Sequence, residues 1–179
     1  MPYFGYEYNF DFMEKAIENA KLQPEDVMIV LDSDTLFTGM DINPFLDRFI
    51  AQSATTPKKL DAVAVRQGRA MAPLLANAEA ACWAPRIFKS EFECKCGNEA
   101  AYTKMREYAA AHPERRLSLP FDLSPQRYLN SGAVVARVWA YKEFLQKARN
   151  LSNTQIPRIN TENGWRCDQS MYAAPTWTS

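Results

Sequence analysis

The sequence predicts an α/β domain, an open sheet with largely parallel strands and helices packed on its flanks. Two observations predict it. Met13, Ala16, Ile17 and Ala20 recur at helical spacing, and after Pro24 the chain passes into a continuous apolar run, Val27 to Leu31. That run is too short to pack as a helix and reads as a buried strand. The same alternation of amphipathic and short apolar segments then continues along the chain, the pattern of a sheet covered by helices.

Taken in order, the first helix has Asp11 placed to cap it and Pro24 to stop it. After the strand at 27–31, Asn43 and Pro44 form a helix start, with Asn as N-cap and Pro in the first turn. Phe45, Leu46, Phe49 and Ile50 supply that helix with a buried face. Residues 53–59 read as a loop. "DAVAV" (61–65) fits a strand or a short helix equally. "PLLANAEAACWAP" (73–85) holds a second apolar run that ends at an acid, Glu79. Residues 86–98 read as irregular, and 98–112 as a helix, from its alanine content and the spacing of Tyr102, Met105, Tyr108 and Ala109. A proline-bearing loop (118–125) leads to "YLNSGAVVAR" (128–137), a polar turn that becomes a strand. "WAYKEFLQKARN" (139–150) is another amphipathic helix. The remainder reads as loop, except for a short helix around Asp168 to Ala174. No repeat or domain boundary interrupts the chain, so residues 1–179 are read as a single domain.

Composition excludes several classes. Apolar residues make up 47% of 179, which points to a globular core rather than disorder. The 21 basic and 21 acidic residues cancel, and no basic face is visible, so a nucleic-acid partner is not expected. No run of apolar residues is long enough to span a membrane, and "MPYFGYEYNF" is not a signal peptide. The single histidine, His112, reads as a surface residue at a helix end. Cys94 and Cys96 are too close for a usual zinc knuckle. Cys94 could pair with Cys82 in an oxidising compartment.

The informative stretch is "IVLDSDTLFTG" (29–39). Asp32 and Asp34 follow a buried strand, and ligands of open α/β sheets bind beyond the carboxyl ends of strands. In extended Asp-x-Asp both side chains point to one side. Two converging carboxylates repel unless a cation lies between them. Oxygen ligands favour a hard ion, Mg²⁺ or Mn²⁺, which keeps positions open for substrate phosphates. The plain alternative is a solvated turn, since Asp-Ser-Asp is also a turn composition. The apolar run before the acids and Leu36–Phe37 after them favour a site.

Haloacid-dehalogenase-type phosphatases also place two aspartates after an apolar strand, as nucleophile and general acid. Their motif continues differently from Asp34–Thr35, and the further acidic pair they need has only Asp168 to stand for it. This reading ranks below the metal site.

Three later segments, "AEAACWAP" (78–85), "RYLNSGAVVA" (127–136) and "CDQSMYAA" (167–174), follow the acidic strand end in order. Together with it they resemble the glycosyltransferase domain of procollagen lysyl hydroxylases and related procollagen sugar transferases, over roughly residues 7–174. The resemblance implies a GT-A-like, Rossmann-like open mixed sheet flanked by helices. It implies transfer of a hexose from a UDP-sugar donor to a hydroxyl acceptor on a protein or glycan, with Mn²⁺ (or Mg²⁺) held by Asp32 and Asp34. Glu79, Asn130, Ser131, Gly132 and Gln169 become substrate-binding candidates and Asp168 the catalytic one. Cys82 and Trp83 are read as structural. For "YLNSG", an ordinary turn feeding a strand is an equal alternative to sugar contacts. For Asp168 the alternative is a helix N-cap.

This chain departs from the family pattern. One residue, rather than two, separates the aspartates, and Cys167 stands where the family has the first Asp of Asp-Asp-Gln. The family's uridine-holding strand has no counterpart before Glu7, and its later histidine has none after Asp168. The expectation is therefore a partial domain lacking the first nucleotide-binding strand. Its alternative role is that of an inactive remnant serving as a binding module. The resemblance also implies the lumen of the secretory pathway, with which the glycosylation sequon at Asn150 is compatible.

Overall fold

The computed structural model describes residues 8–32, 35, 39–68, 71–82, 90–117 and 119–154. Along them run α1 (Tyr8–Asn19), β1 (Val27–Leu31), α2 (Asn43–Gln52), α3 (Leu60–Gln67), β2 (Leu74–Glu79), α4 (Glu91–Ala111), β3 (Tyr128–Arg137) and α5 (Val138–Thr154). Short 3₁₀ turns at Pro57–Lys59, Pro113–Arg115 and Pro120–Asp122 join them. The chain is mixed α/β, but the sheet corrects the expectation of largely parallel strands. Its order is β1-β3-β2, and β3 runs antiparallel to both neighbours. β1 and β2 do point the same way, as strands joined through helices should, yet β3 lies between them. The reason is the path after β2. The long excursion through α4 returns to the same end of the sheet, so β3 enters beside the end of β2 and runs back.

The alternation of side chains along the strands divides the sheet into two faces. Met28 and Val30 of β1, Val134 and Ala136 of β3, and Leu74 and Ala76 of β2 meet α1 and α5 through Phe10, Ile17, Tyr141, Leu145 and Ala148. Their partners on the ladder confirm the face, with Met28 opposite Ala136 and Val30 opposite Val134. The intervening residues Ile29, Leu31, Leu75, Ala133 and Val135 line a cleft on the other side, whose border Leu74, Ala76 and Val134 also reach.

The far end of β3 is pinned by a buried cation. Arg137 is 5% exposed. Its guanidinium donates to Ser53 Oγ at 2.9 Å, to the Glu25 carbonyl at 2.7 Å and to the Ile50 carbonyl at 2.7 Å. It also lies over the Phe49 ring. Burial pushes its pKa below the ordinary value, but arginine keeps its proton in proteins. One side chain thus ties the entry to β1 and the C-terminus of α2 to the end of β3.

Several local expectations need correction. Asp11 lies within α1 and does not cap it; its carboxylate instead accepts from Arg149 of α5 at 2.6 Å. Asn43 opens α2, but its side chain makes no cap, and its N–H donates to Asp41 Oδ1 at 2.9 Å. Of the four apolar residues assigned to a buried face there, Phe49 alone is buried, while Phe45 and Ile50 are 42% and 50% exposed. The undecided 61–65 segment is helical within α3, and Gly68 follows it in the left-handed conformation at φ 77°. Residues 91–98 are not irregular; they are the first turns of α4, capped by Ser90 Oγ accepting from Glu93 N–H at 3.2 Å. Residues 128–131 are strand, not turn. The region after Thr154, including the helix expected near Asp168, lies outside the described residues.

Replacing Arg137 with Ala leaves three hydrogen-bond acceptors without their donor at a buried junction. Hydrogen bonds to a charged group contribute about 1.5–3 kcal/mol each and are not additive, so urea unfolding should give a loss of about 3 kcal/mol or more. Arg149→Ala removes a half-exposed pairing with Asp11 and Glu14 and should cost about 1 kcal/mol or less. Equal losses would contradict this account of the junction.

Candidate functional site

At the end of the sheet opposite Arg137, the ladder changes register. Ala76 faces Val134, but the next residue, Asn77, faces Asn130. Residues 131–133 are therefore extra relative to β2, a bulge of the kind that re-aims side chains at sheet ends. The pairing with β1 continues through the bulge: Leu31 faces Ala133, and Asp32 N–H donates to the Gly132 carbonyl at 2.9 Å. Thr35 N–H then donates to the Asp32 carbonyl at 3.0 Å.

The bulge brings four of the candidates named from sequence into contact. Asn130 Oδ1 accepts from Gly132 N–H at 2.7 Å, and Asn130 Nδ2 donates to Glu79 Oε2 at 3.3 Å. The Asp32 carboxylate lies over the backbone of Gly132. A Cβ built on Gly132 would meet Asp32 Oδ2 at 2.8 Å and Asn130 Oδ1 at 2.9 Å. Glycine is required here for close approach, not for an unusual backbone angle. Ser131 stands within the bulge. So Asp32, Glu79, Asn130, Ser131 and Gly132 gather at one end of the sheet, at the carboxyl ends of β1 and β2. Asp34, Asp168 and Gln169 lie outside the described residues.

Neither sequence alternative for Asn130, a sugar contact or an ordinary turn, includes its internal use. Its amide spans Glu79 and the glycine N–H, and fixes one against the other. The signal was available, since an Asn two residues before a Gly commonly bonds the backbone two positions on.

Two oxygens, from Asp32 and Asn130, flank the space above Gly132, and oxygen is the donor that Mg²⁺ and Mn²⁺ prefer. In kind, these residues fit a hard divalent ion. In number they fall short alone: among the described residues no group of three or more His, Cys, Asp or Glu lies close enough to hold a metal. His112 is remote from the sheet end in the chain, at the C-cap of α4, where its ring stacks on Tyr108.

The wall beside the site is held by Cys82–Cys94, a disulfide that joins the segment after β2 to the first turns of α4. Asn98 Nδ2 donates to the Cys94 carbonyl at 2.9 Å and lies 3.0 Å from Cys82 Sγ. Cys82 thus has the structural role expected of it, and Cys96 is exposed and free. One turn further along α4, the Tyr102 hydroxyl donates to the Arg127 carbonyl, just before β3. The ring stacks on Phe121 with centroids 4.2 Å apart. Burial pushes the Tyr102 phenol up to about 12.

Comparison with protein-family models, with curated proteins and with solved structures found no match for this chain. Among the described residues, no helix is long and apolar enough to cross a membrane.

Three outcomes are expected. Gly132→Ala should displace Asp32 and Asn130 and cost about 1–3 kcal/mol in chemical denaturation; a neutral effect would contradict the close approach. Reducing Cys82–Cys94, which closes a loop with a sequence separation of 12, should lower stability by about 3 kcal/mol, measured by melting with and without reductant. Because the folded pKa of Tyr102 lies above that of an unfolded tyrosine, near 10, the unfolded chain loses its proton first. Its contribution is therefore intact below pH ~10 and declines as pH rises toward 12. Stability curves of Tyr102→Phe should lack that part of the alkaline decline; identical curves would argue against it.

Proposed function

We propose that this chain is a metal-dependent glycosyltransferase domain that moves a hexose from a UDP-sugar to a hydroxyl acceptor. The observation that carries the reading is the meeting of Asp32, Asn130 and Gly132 at a bulged sheet end, with Glu79 hydrogen-bonded to Asn130. Four segments carry the sequence resemblance that implies this activity. The described parts of three of them, the acidic strand end, "AEAACWAP" and "RYLNSGAVVA", contribute residues to the same end of the sheet.

In this reading, Asp32 and Asp34 hold Mn²⁺ or Mg²⁺. The ion supplies charge neutralisation for the diphosphate leaving group. Gly132 leaves room for the Asp32 carboxylate. Asn130 holds Glu79 and the bulge in fixed relation, so that binding groups need little reorganisation when the donor arrives. Ser131, Gly132 and Gln169 contact the donor, and Asp168 is the candidate for contact with the acceptor or for proton transfer. The Cys82–Cys94 disulfide supports an oxidising compartment, in keeping with a place in the secretory pathway.

Calorimetry tests the proposal. UDP should bind only with Mn²⁺ present, and Asp32→Asn should weaken that binding at least tenfold without altering the melting temperature by more than a few degrees. A cooperatively melting chain that binds no UDP in the presence of Mn²⁺ would end the transferase reading.

A further inference from the structure

The cleft on the sheet face turned away from α1 and α5 has a volume of about 1170 Å³, somewhat above the roughly 300–1,000 Å³ of most small-molecule sites. Its floor is Ile29, Leu31, Leu75, Ala133 and Val135. Tyr102 and Met105 of α4, Phe121, and Phe45 of α2 also line it. An open, largely apolar cleft of this kind is a candidate binding face.

Two further features say what it binds. First, the cleft runs up to the candidate site. It is lined by Leu31, Ala78, Leu129 and Ala133, which are the chain neighbours of Asp32, Glu79, Asn130 and Gly132. Asn77, the ladder partner of Asn130, also lines it, and ladder partners project to the same face. The Asn130–Glu79 pair therefore borders the cleft. Second, its walls carry little charge. Among the described residues the charged side chains that line it are Lys104 and Arg127, with Arg127 paired to Glu99 at 2.8 Å. No described carboxylate lines the walls, and Glu79 stands only at the rim, so the walls suit a neutral apolar body.

We propose that this cleft binds the apolar body of the hydroxyl acceptor, an alcohol with an alkyl or aryl group, and presents its hydroxyl at the rim formed by Asn130 and Glu79. The word acceptor rests on the transferase reading; the preference for an apolar alcohol rests on the cleft. A bare glycan would leave the apolar floor uncovered.

The test is calorimetric titration of the full chain with octyl β-glucoside, kept below its micelle-forming concentration, against free glucose, with no metal or nucleotide present. Octyl glucoside should bind at least tenfold tighter than glucose. Ile29→Glu and Phe45→Ser change side chains that are 39% and 42% exposed, so each should still fold and melt cooperatively, and each should weaken octyl glucoside at least tenfold. Equal binding of glucose, or octyl glucoside binding untouched by both variants, overturns the proposal. So does a concentration-dependent dimer that Ile29→Glu dissolves, since the cleft would then be covered by a second copy. Titration with Mn²⁺ and UDP separates the two claims. Failure there with octyl glucoside binding intact removes the acceptor role and the transferase reading, whereas the reverse result removes the cleft proposal alone.

Discussion

The pairing of β3 with both of its neighbours is the constraint on which the other features depend. It sets the two faces of the sheet, because one register places Met28, Val30, Val134 and Ala136 together against α1 and α5. It also sets the two ends. At one end Arg137 spends its donors on Ser53, Glu25 and Ile50. At the other, the register with β2 slips while the register with β1 is kept, and the slack so created forms the bulge at 131–133. A rigid end and a bulged end on one strand give a scaffold that fixes position and a rim that can hold polar groups.

The polar rim works only because one side chain is missing. A methyl group at residue 132 would fall within 3 Å of oxygens from both Asp32 and Asn130. The same strand that buries Val134 and Ala136 in the core thus brings an acid at the end of β1 to an amide two residues before the glycine. Packing and site are set by one segment, "YLNSGAVVAR". Changes in its apolar half and in its polar half should therefore not act independently, since residues in contact couple energetically.

Much of this was legible in the sequence, where local chemistry decides. The five apolar residues before Asp32 are a strand because nothing else suits so short a run. Ser90 and Glu93 form the S-x-x-E start of a helix, a signal that could have moved the beginning of α4 back to residue 91. Gly68, suited to a left-handed cap, could have settled 61–65 as helix. The direction of β3 was not legible, because it depends on where the excursion through α4 comes to rest. Nor was the burial of Arg137, whose partners lie 84, 112 and 87 residues away in sequence. Candidate site residues were found from motif order, and the hydrogen bonds among them required the bulge.

The central proposal is that Asp32, together with Asp34, holds a divalent cation beside the bulge at 131–133, at the end of the sheet. Paramagnetic line broadening of backbone amide signals by Mn²⁺, titrated in the presence of UDP, tests it most directly. The account predicts that the amides of Asp32, Asn130, Ser131 and Gly132 broaden first, followed by Glu79, while those of α1 and α5 stay sharp. Broadening that begins at the acidic residues of α1, or that touches no residue at this end of the sheet, would contradict it.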